Sequence, residues 1–229
     1  MRDYLTPRTN MVDSQLRPNR VLDPALLDAF QTVPREAFVP ERLQGLAYSD
    51  EALPLGGGRY MLEPLVLARL LQEAGITPDD TVLDIACGMG YAAALLGRLA
   101  RTVTALELDE GLARSARAAL RTAGAQNVSV VEAGFGQGYP QRGPYDVILI
   151  EGTVGAVPSA LLDQLASGGR LLGILRPPTD AGAPTGAELV LLGQAVVMTR
   201  HETGIATRVL FETGMHDLPG LADAPAFVF

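Results

Sequence analysis

Two short apolar runs, each ending in a carboxylate and separated by a glycine bend and a small-residue helix, constrain this chain more than anything else in it. They are Thr81-Val-Leu-Asp-Ile-Ala-Cys-Gly-Met-Gly-Tyr91 and Val103-Thr-Ala-Leu-Glu-Leu-Asp109, which set Asp84 and Glu107 23 positions apart. Strand, glycine turn, helix and strand with a terminal acid make the first half of a nucleotide-binding βαβ unit. The nucleotide it holds decides the function.

Two ligands compete for this loop. Gly88-x-Gly90-x-x-Ala93 fits the loose dinucleotide fingerprint, in which a pyrophosphate rests on a helix N-terminus. Asp84 opposes that reading, because a strand-end carboxylate facing the same crevice repels phosphate. S-adenosylmethionine has no phosphate and carries a sulfonium and an ammonium group. An acidic strand end suits it, and Glu107 can accept hydrogen bonds from both ribose hydroxyls. The charge argument favours the methyl donor over NAD.

At 229 residues, with 48% hydrophobic and 19% charged residues, the chain can bury a full core. It reads as a single domain over 1–229, with a helical lead-in and loop at 1–60 and a Rossmann-like core at 61–229. No apolar run is long enough to span a bilayer, and the first residues lack the apolar stretch of a signal peptide. Cys87 is the lone cysteine, which fits a reducing cytoplasm. The formal charge is −8, and all 18 basic residues are arginine. Lysine Schiff bases and lysine phosphate loops are therefore excluded. With no basic cluster to neutralise phosphates, a nucleic-acid partner is disfavoured.

Periodicity predicts the elements. A helix opens at Asp23-Pro24, with Asp23 as N-cap and proline at the first helical position. Val33 to Pro40 is read as a turn, Leu53 to Gly58 as a glycine-rich loop, and Glu63 to Ala74 as a helix. Then follow strand 81–85, helix 92–99, strand 103–108, helix 110–123, strands 127–132 and 146–150, helix 158–165 and strand 169–175. The helix at 110–123 should turn Leu112, Ala116, Ala119, Leu120 and Ala123 inward and Arg114, Arg117 and Arg121 to solvent. Val147-Ile-Leu-Ile150 suggests a sheet buried on both faces. Segments 188–198 and 207–211 are strand-like and would form an antiparallel edge, joined across a flexible loop at 177–184. The fold class is α/β: a doubly wound, mostly parallel sheet with an antiparallel C-terminal edge.

With these residues in view, the chain resembles the protein-L-isoaspartate O-methyltransferases from about Met11 to Arg208. Met-Val-Asp-Ser-Gln-Leu-Arg near the start, Val33-Pro-Arg-Glu-Ala-Phe-Val-Pro40, Ala47-Tyr-Ser-Asp and Leu53-Pro-Leu-Gly are similar to that family's lead-in. Asp84 to Gly90 matches its donor motif, and Tyr145-Asp-Val-Ile and Gln164-Leu-Ala-Ser-Gly-Gly-Arg-Leu171 match its later strands. The resemblance implies S-adenosylmethionine as donor and carboxyl methylation of damaged aspartyl residues in a protein or peptide. It places Asp84, Ala86, Gly88, Met89, Gly90, Glu107, Leu108, Gly134 and Phe135 at the donor, and implies no metal.

The departures fall where the acceptor would sit. The family's Thr-Ile-Ser-Gln-Pro reads Tyr60-Met61-Leu62-Glu63-Pro64, so its serine is Leu62 and its glutamine Glu63. Its Gly-Asp-Gly reads Ala133-Gly134-Phe135, and Glu151-Gly-Thr-Val-Gly155 replaces an alanine-rich stretch. A carboxylate acceptor is already ionised at pH 7, so losing a serine hydroxyl removes an orienting hydrogen bond worth about 1 kcal/mol and no obligatory base. An ionised Glu63 about 4 Å from an acceptor carboxylate would cost about 4 kcal/mol at an effective dielectric of 20. If Glu63 instead points to solvent, it merely favours the helix dipole. Tyr60 and Glu63 are the candidate catalytic pair, with Glu151 a candidate substrate contact. A different hydroxyl, amine or carboxyl acceptor, on a protein or a small molecule, a catalytically silent donor-binding protein and a dinucleotide oxidoreductase remain as alternatives. Cys87 reads as packing, and His201 and His216 as surface histidines.

Overall fold

In the computed structural model, residues 3–177, 192–214 and 216–221 are described. The lead-in holds helices α1 (Leu5–Met11) and α2 (Pro24–Thr32), joined by a π-turn and a 3-10 turn. Asp23 caps α2 as expected, its carboxylate accepting from the amides of Ala25 and Leu26. The segment expected to be a glycine-rich loop is instead a hairpin. β1 (Leu53–Gly56) pairs antiparallel with β2 (Arg59–Met61) around a glycine turn with positive φ at Gly57 and Gly58. The hairpin lies against the later glycine loop, since a Cβ on Gly88 would stand 2.5 Å from Leu55.

Helix α3 (Pro64–Ala74) leads into β3 (Thr81–Ile85), α4 (Tyr91–Leu99), β4 (Thr102–Glu107), α5 (Glu110–Thr122) and β5 (Val128–Glu132). β6 (Tyr145–Val154), a short α6 (Ser159–Leu162), β7 (Leu165–Leu175), β8 (Gly193–His201) and β9 (Gly204–Thr213) complete the chain. The sheet order is β5-β4-β3-β6-β7-β8-β9, parallel through β7 and antiparallel from β7 to β9. That is a doubly wound, Rossmann-like sheet closed by an antiparallel edge. Val82, Leu83, Ile85, Val147, Ile148, Leu149 and Ile150 are buried, as a sheet covered on both faces requires.

Three expectations need correction. The helix expected over 158–165 stops at Leu162, because β7 begins at Leu165 and reaches the sheet through an irregular register before Arg170. α5 buries Ala116 and Leu120 as expected, but Ala113 joins them while Leu112 and Ala119 are half-buried and Ala123 is exposed; Arg117, expected in solvent, is half-buried with Nη2 donating to the Val130 carbonyl. The strand expected over 188–198 is observed from Gly193; residues 188–191, like most of the 177–184 loop, lie outside the described residues. Among the described residues, no helix is long and apolar enough to cross a membrane.

Candidate active site

Strand order reverses direction between β3 and β6, and doubly wound sheets bind ligands outside the carboxyl ends of the strands at such a point. Asp84 is the penultimate residue of β3, Glu107 ends β4, and Glu151 lies in β6, just beyond Ile150, the partner of Ile85. Their exposures are 0%, 0% and 5%. Three carboxylates thus converge from three adjacent strands in a site shielded from water.

Asp84 is the least satisfied of them. Apart from a proton shared between the Asp84 and Glu151 carboxyls, neither of its oxygens has a hydrogen-bond partner, nor does Oε1 of Glu151. Burial raises the Asp84 pKa to about 7; the neighbouring Glu151 carboxyl offsets part of that, and the charge of Glu107 adds to it. Burial likewise pushes Glu151 well above the ordinary carboxylate range, and the nearby Asp84 pushes the same way. A buried, unpaired acid is costly unless a cation meets it. The free oxygens of this pair therefore suit a cationic ligand.

Glu107 is already engaged. Its Oε1 accepts from the amides of Leu108 (2.8 Å) and Asp109 (3.1 Å), and its Oε2 from the amide of Gly88 (2.8 Å). Arg59 adds Nη1 contacts of 2.8 and 3.1 Å to the two oxygens. The same guanidinium donates to the Ala86 carbonyl at 2.5 Å and lies 5.2 Å from the centre of the Phe135 ring. Arg59 thus occupies the space among Glu107, Ala86 and Phe135, all expected at the donor. Sequence reading missed it. The signal was the alternation of β2, which turns Arg59 and Met61 inward.

The glycine loop has the expected geometry. Gly88 and Gly90 adopt positive φ (56° and 92°), and Gly90 is the N-cap of α4. Ala86 also has a positive φ, 71°, a strained conformation for an alanine, held by the bonds from its own amide and that of Cys87 to the Leu106 carbonyl. Met89 is half-buried, Leu108 is 52% exposed and Gly134 is exposed beside the buried Phe135. Cys87 is buried, and burial raises its thiol pKa, so it is a packing residue.

Helix α3 and the tail build the other side. Glu63 is the N-cap of α3 but makes no capping bond. It faces His216, with Nε2 3.8 Å from Oε1, and its side chain is 19% exposed, so it does not simply point to solvent. His216 stacks on Tyr60 with ring centres 4.4 Å apart and planes 25° apart. His201, by contrast, is exposed as expected. Leu62 is buried, and its carbonyl accepts from Nη2 of Arg35 at 2.6 Å. Arg35 is itself fully buried, donates to the Ala47 carbonyl and lies over the Tyr91 ring. It too was missed; its place in a lead-in segment gave no sign that its side chain turns into the core.

The segment after β9 lies across the crevice. The Thr153 amide donates to the His216 carbonyl (2.8 Å), and the Leu218 amide to the Thr153 carbonyl (2.9 Å). Leu218 and Leu221 join the apolar cluster around Phe135. A cavity of about 270 Å³ remains between Gly57, Arg59, Glu107, Leu108 and the Pro219-Gly220 turn.

Comparison with known proteins decides the family. The model of the protein-L-isoaspartate(D-aspartate) O-methyltransferases matches residues 7–177. This chain belongs to that family. It is 40% identical over 190 residues to the protein-L-isoaspartate O-methyltransferase of Synechococcus sp., covering 82% of this chain and 78% of that one. It is 42% identical over 165 residues to protein-L-isoaspartate O-methyltransferase 2 of Pelobacter propionicus, covering 72% and 73%. A solved protein-L-isoaspartate O-methyltransferase superposes over 94% of this chain and 67% of its own, with a TM-score of 0.78 at 24% identity. A Plasmodium falciparum chain assigned the same activity, solved with S-adenosyl-L-homocysteine, superposes over 96% of this chain with a TM-score of 0.75 at 16% identity. These two likenesses show the fold. As a member of the family, the chain is an S-adenosylmethionine-dependent methyltransferase.

Proposed function

We propose that this enzyme transfers the methyl group of S-adenosylmethionine to the free α-carboxylate of isoaspartyl residues in damaged proteins, and that the chain folds as one methyltransferase domain. The observation that supports the reading is the buried acid pair Asp84 and Glu151 at the switch point, three of whose oxygens have no partner beyond the pair itself. The donor supplies an electrophilic methyl on a sulfonium and needs no metal. The loop from Asp84 to Gly90 would hold its cationic end, and Glu107 its ribose hydroxyls, with Ala86, Met89, Leu108, Gly134 and Phe135 around the nucleoside. Glu107 fits that role once Arg59 yields at least one of its contacts, because both carboxylate oxygens are already taken. Glu63 and Tyr60 belong to the acceptor side.

The chain's own contribution to the reaction is positioning and exclusion of water. An acceptor carboxylate is already the nucleophile, so no residue has to remove a proton. In-line displacement gains most from holding the reacting atoms aligned. Strands β3 and β6 fix one wall, and the turn at Pro219-Gly220 covers the other. The lone buried Cys87 and the protein substrate fit a role in protein repair in the cytoplasm.

The test is transfer of labelled methyl to an isoaspartyl peptide and to its ordinary aspartyl counterpart. Labelling of the first alone is the expected result. Background labelling of both rejects the acceptor assignment, and calorimetry with the donor product then reports separately on the donor site.

A further inference from the structure

The acceptor side holds a charge that a carboxylate substrate should not tolerate, together with a group that answers it. Glu63 enters from the N-terminus of α3. Across from it, His216 comes from the segment after β9, at the C-terminal edge of the same sheet. The residue is held through its backbone and its ring. Its backbone amide donates to Thr153 Oγ1 (3.1 Å), its backbone carbonyl accepts from the Thr153 amide (2.8 Å), and its ring stacks on Tyr60. This fixes Nε2 3.8 Å from Glu63 Oε1, within ion-pair reach. A Cβ on Gly214 would stand 3.8 Å from the same Glu63 oxygen, an ordinary contact distance, so the backbone after β9 runs beside this carboxylate.

Thr153 places the pair relative to the crevice. It lies in β6 two residues beyond Glu151, the acid beside Asp84. The Glu63 and His216 side chains are 19% and 29% exposed, while Asp84, Glu107 and Glu151 are almost wholly covered. An acceptor arriving from solvent therefore meets Glu63 and His216 before the buried acids.

We propose that His216 is the acceptor-recognition residue of this enzyme, neutralising Glu63 so that a carboxylate substrate can approach. As an imidazolium it carries two N–H groups. The one on Nε2 faces Glu63 and answers its charge. Without the histidine, the acceptor would face an uncompensated like charge. With both groups replaced by neutral residues, the mouth would again be neutral. This inference rests on the carboxylate acceptor proposed above and adds how that acceptor is recognised.

Steady-state methylation of an isoaspartyl peptide by the full chain tests it. His216→Phe keeps an aromatic ring to stack on Tyr60 and removes the charge. The expected result is a roughly tenfold rise in KM for the peptide, with kcat and donor-product affinity held. His216→Gln gives the same split by a different side chain and serves if the phenylalanine variant folds poorly. Adding Glu63→Gln to either variant should return KM to within about twofold of the wild type. An unchanged KM in the single variants overturns the proposal, as does a double variant no better than the single, which would mark His216 as merely structural. Wild-type enzyme that labels no isoaspartyl peptide removes the carboxylate reading and this inference with it. Active wild type with unaffected variants removes this inference alone.

Discussion

The floor of the crevice and its mouth differ in construction. On the floor, Glu107 is wholly buried and its oxygens accept from three amides and one guanidinium. At the mouth, Glu63 has, among the described residues, one partly exposed histidine 3.8 Å away, held by a stack and a short run of backbone bonds. A buried charge with full satisfaction is rigid, and removing a partner is expensive. A half-exposed pair is screened and weak, so it can rearrange at low cost. The contrast matches the division of labour proposed here: the floor is preorganised for one invariant donor, while the mouth must admit a protein chain and release it.

Glu107→Ala offers the strongest way to break this contrast. It strands Arg59, whose side chain is 6% exposed, without a counter-charge and removes the acceptor for three amides. The expected cost is about 3–5 kcal/mol in urea unfolding. Glu63→Ala should cost less than about 1 kcal/mol in the same assay. Equal losses would mean that the mouth is as rigidly built as the floor.

The pH dependence of stability comes next in size. The Asp84 carboxyl goes from 3.8 to about 7 on folding, so the folded chain keeps a proton that the unfolded chain has lost across that window. Its stabilising effect is complete below the lower value, falls as pH rises, and is gone above the higher one. The slope for one proton is about 1.4 kcal/mol per pH unit. Glu151 is shifted in the same direction and steepens the fall. Asp84→Asn should flatten the profile, read by denaturation midpoints at a series of pH values. The cationic donor prefers the ionised acid, so its affinity in calorimetry should rise with pH toward about 7 and then level. A donor affinity indifferent to pH would place the sulfonium away from Asp84.

The same contrast explains what could be read from the sequence. The floor comes almost entirely from one contiguous stretch, Asp84 to Glu107, whose glycines and strand-end acids carry their meaning in their spacing. The parallel core was equally legible, since alternation of apolar runs and helical stripes reflects burial by neighbours in the chain. The mouth is assembled from Tyr60 and Glu63, Thr153, and Gly214 and His216, and no local pattern ties these together. His216 read as a surface histidine because nothing within several residues marks it; its partners are long-range. Arg59 was hidden for a different reason. An arginine after three glycines reads as a solvated loop residue, and only the pairing of β1 with β2 turns it toward Glu107.

The smallest effect sharpens the comparison most. Thr153→Val removes the side-chain oxygen that accepts from the His216 amide at 3.1 Å and leaves in place the two backbone bonds that Thr153 makes to His216 and Leu218. Thr153 is 1% exposed and valine has nearly the same shape, so no cavity opens and packing on β6 should hold. One neutral hydrogen bond is worth about 1 kcal/mol, which corresponds to about a fivefold loss of protection for the Leu218 amide in hydrogen exchange. If mouth and floor open as separate units, amides of β3 and β4 keep their protection and the urea midpoint barely moves. If those core amides lose protection in step with Leu218, the tail and the sheet form one cooperative block. Acceptor entry would then require loosening the donor floor as well, and the two regions would share a single stability.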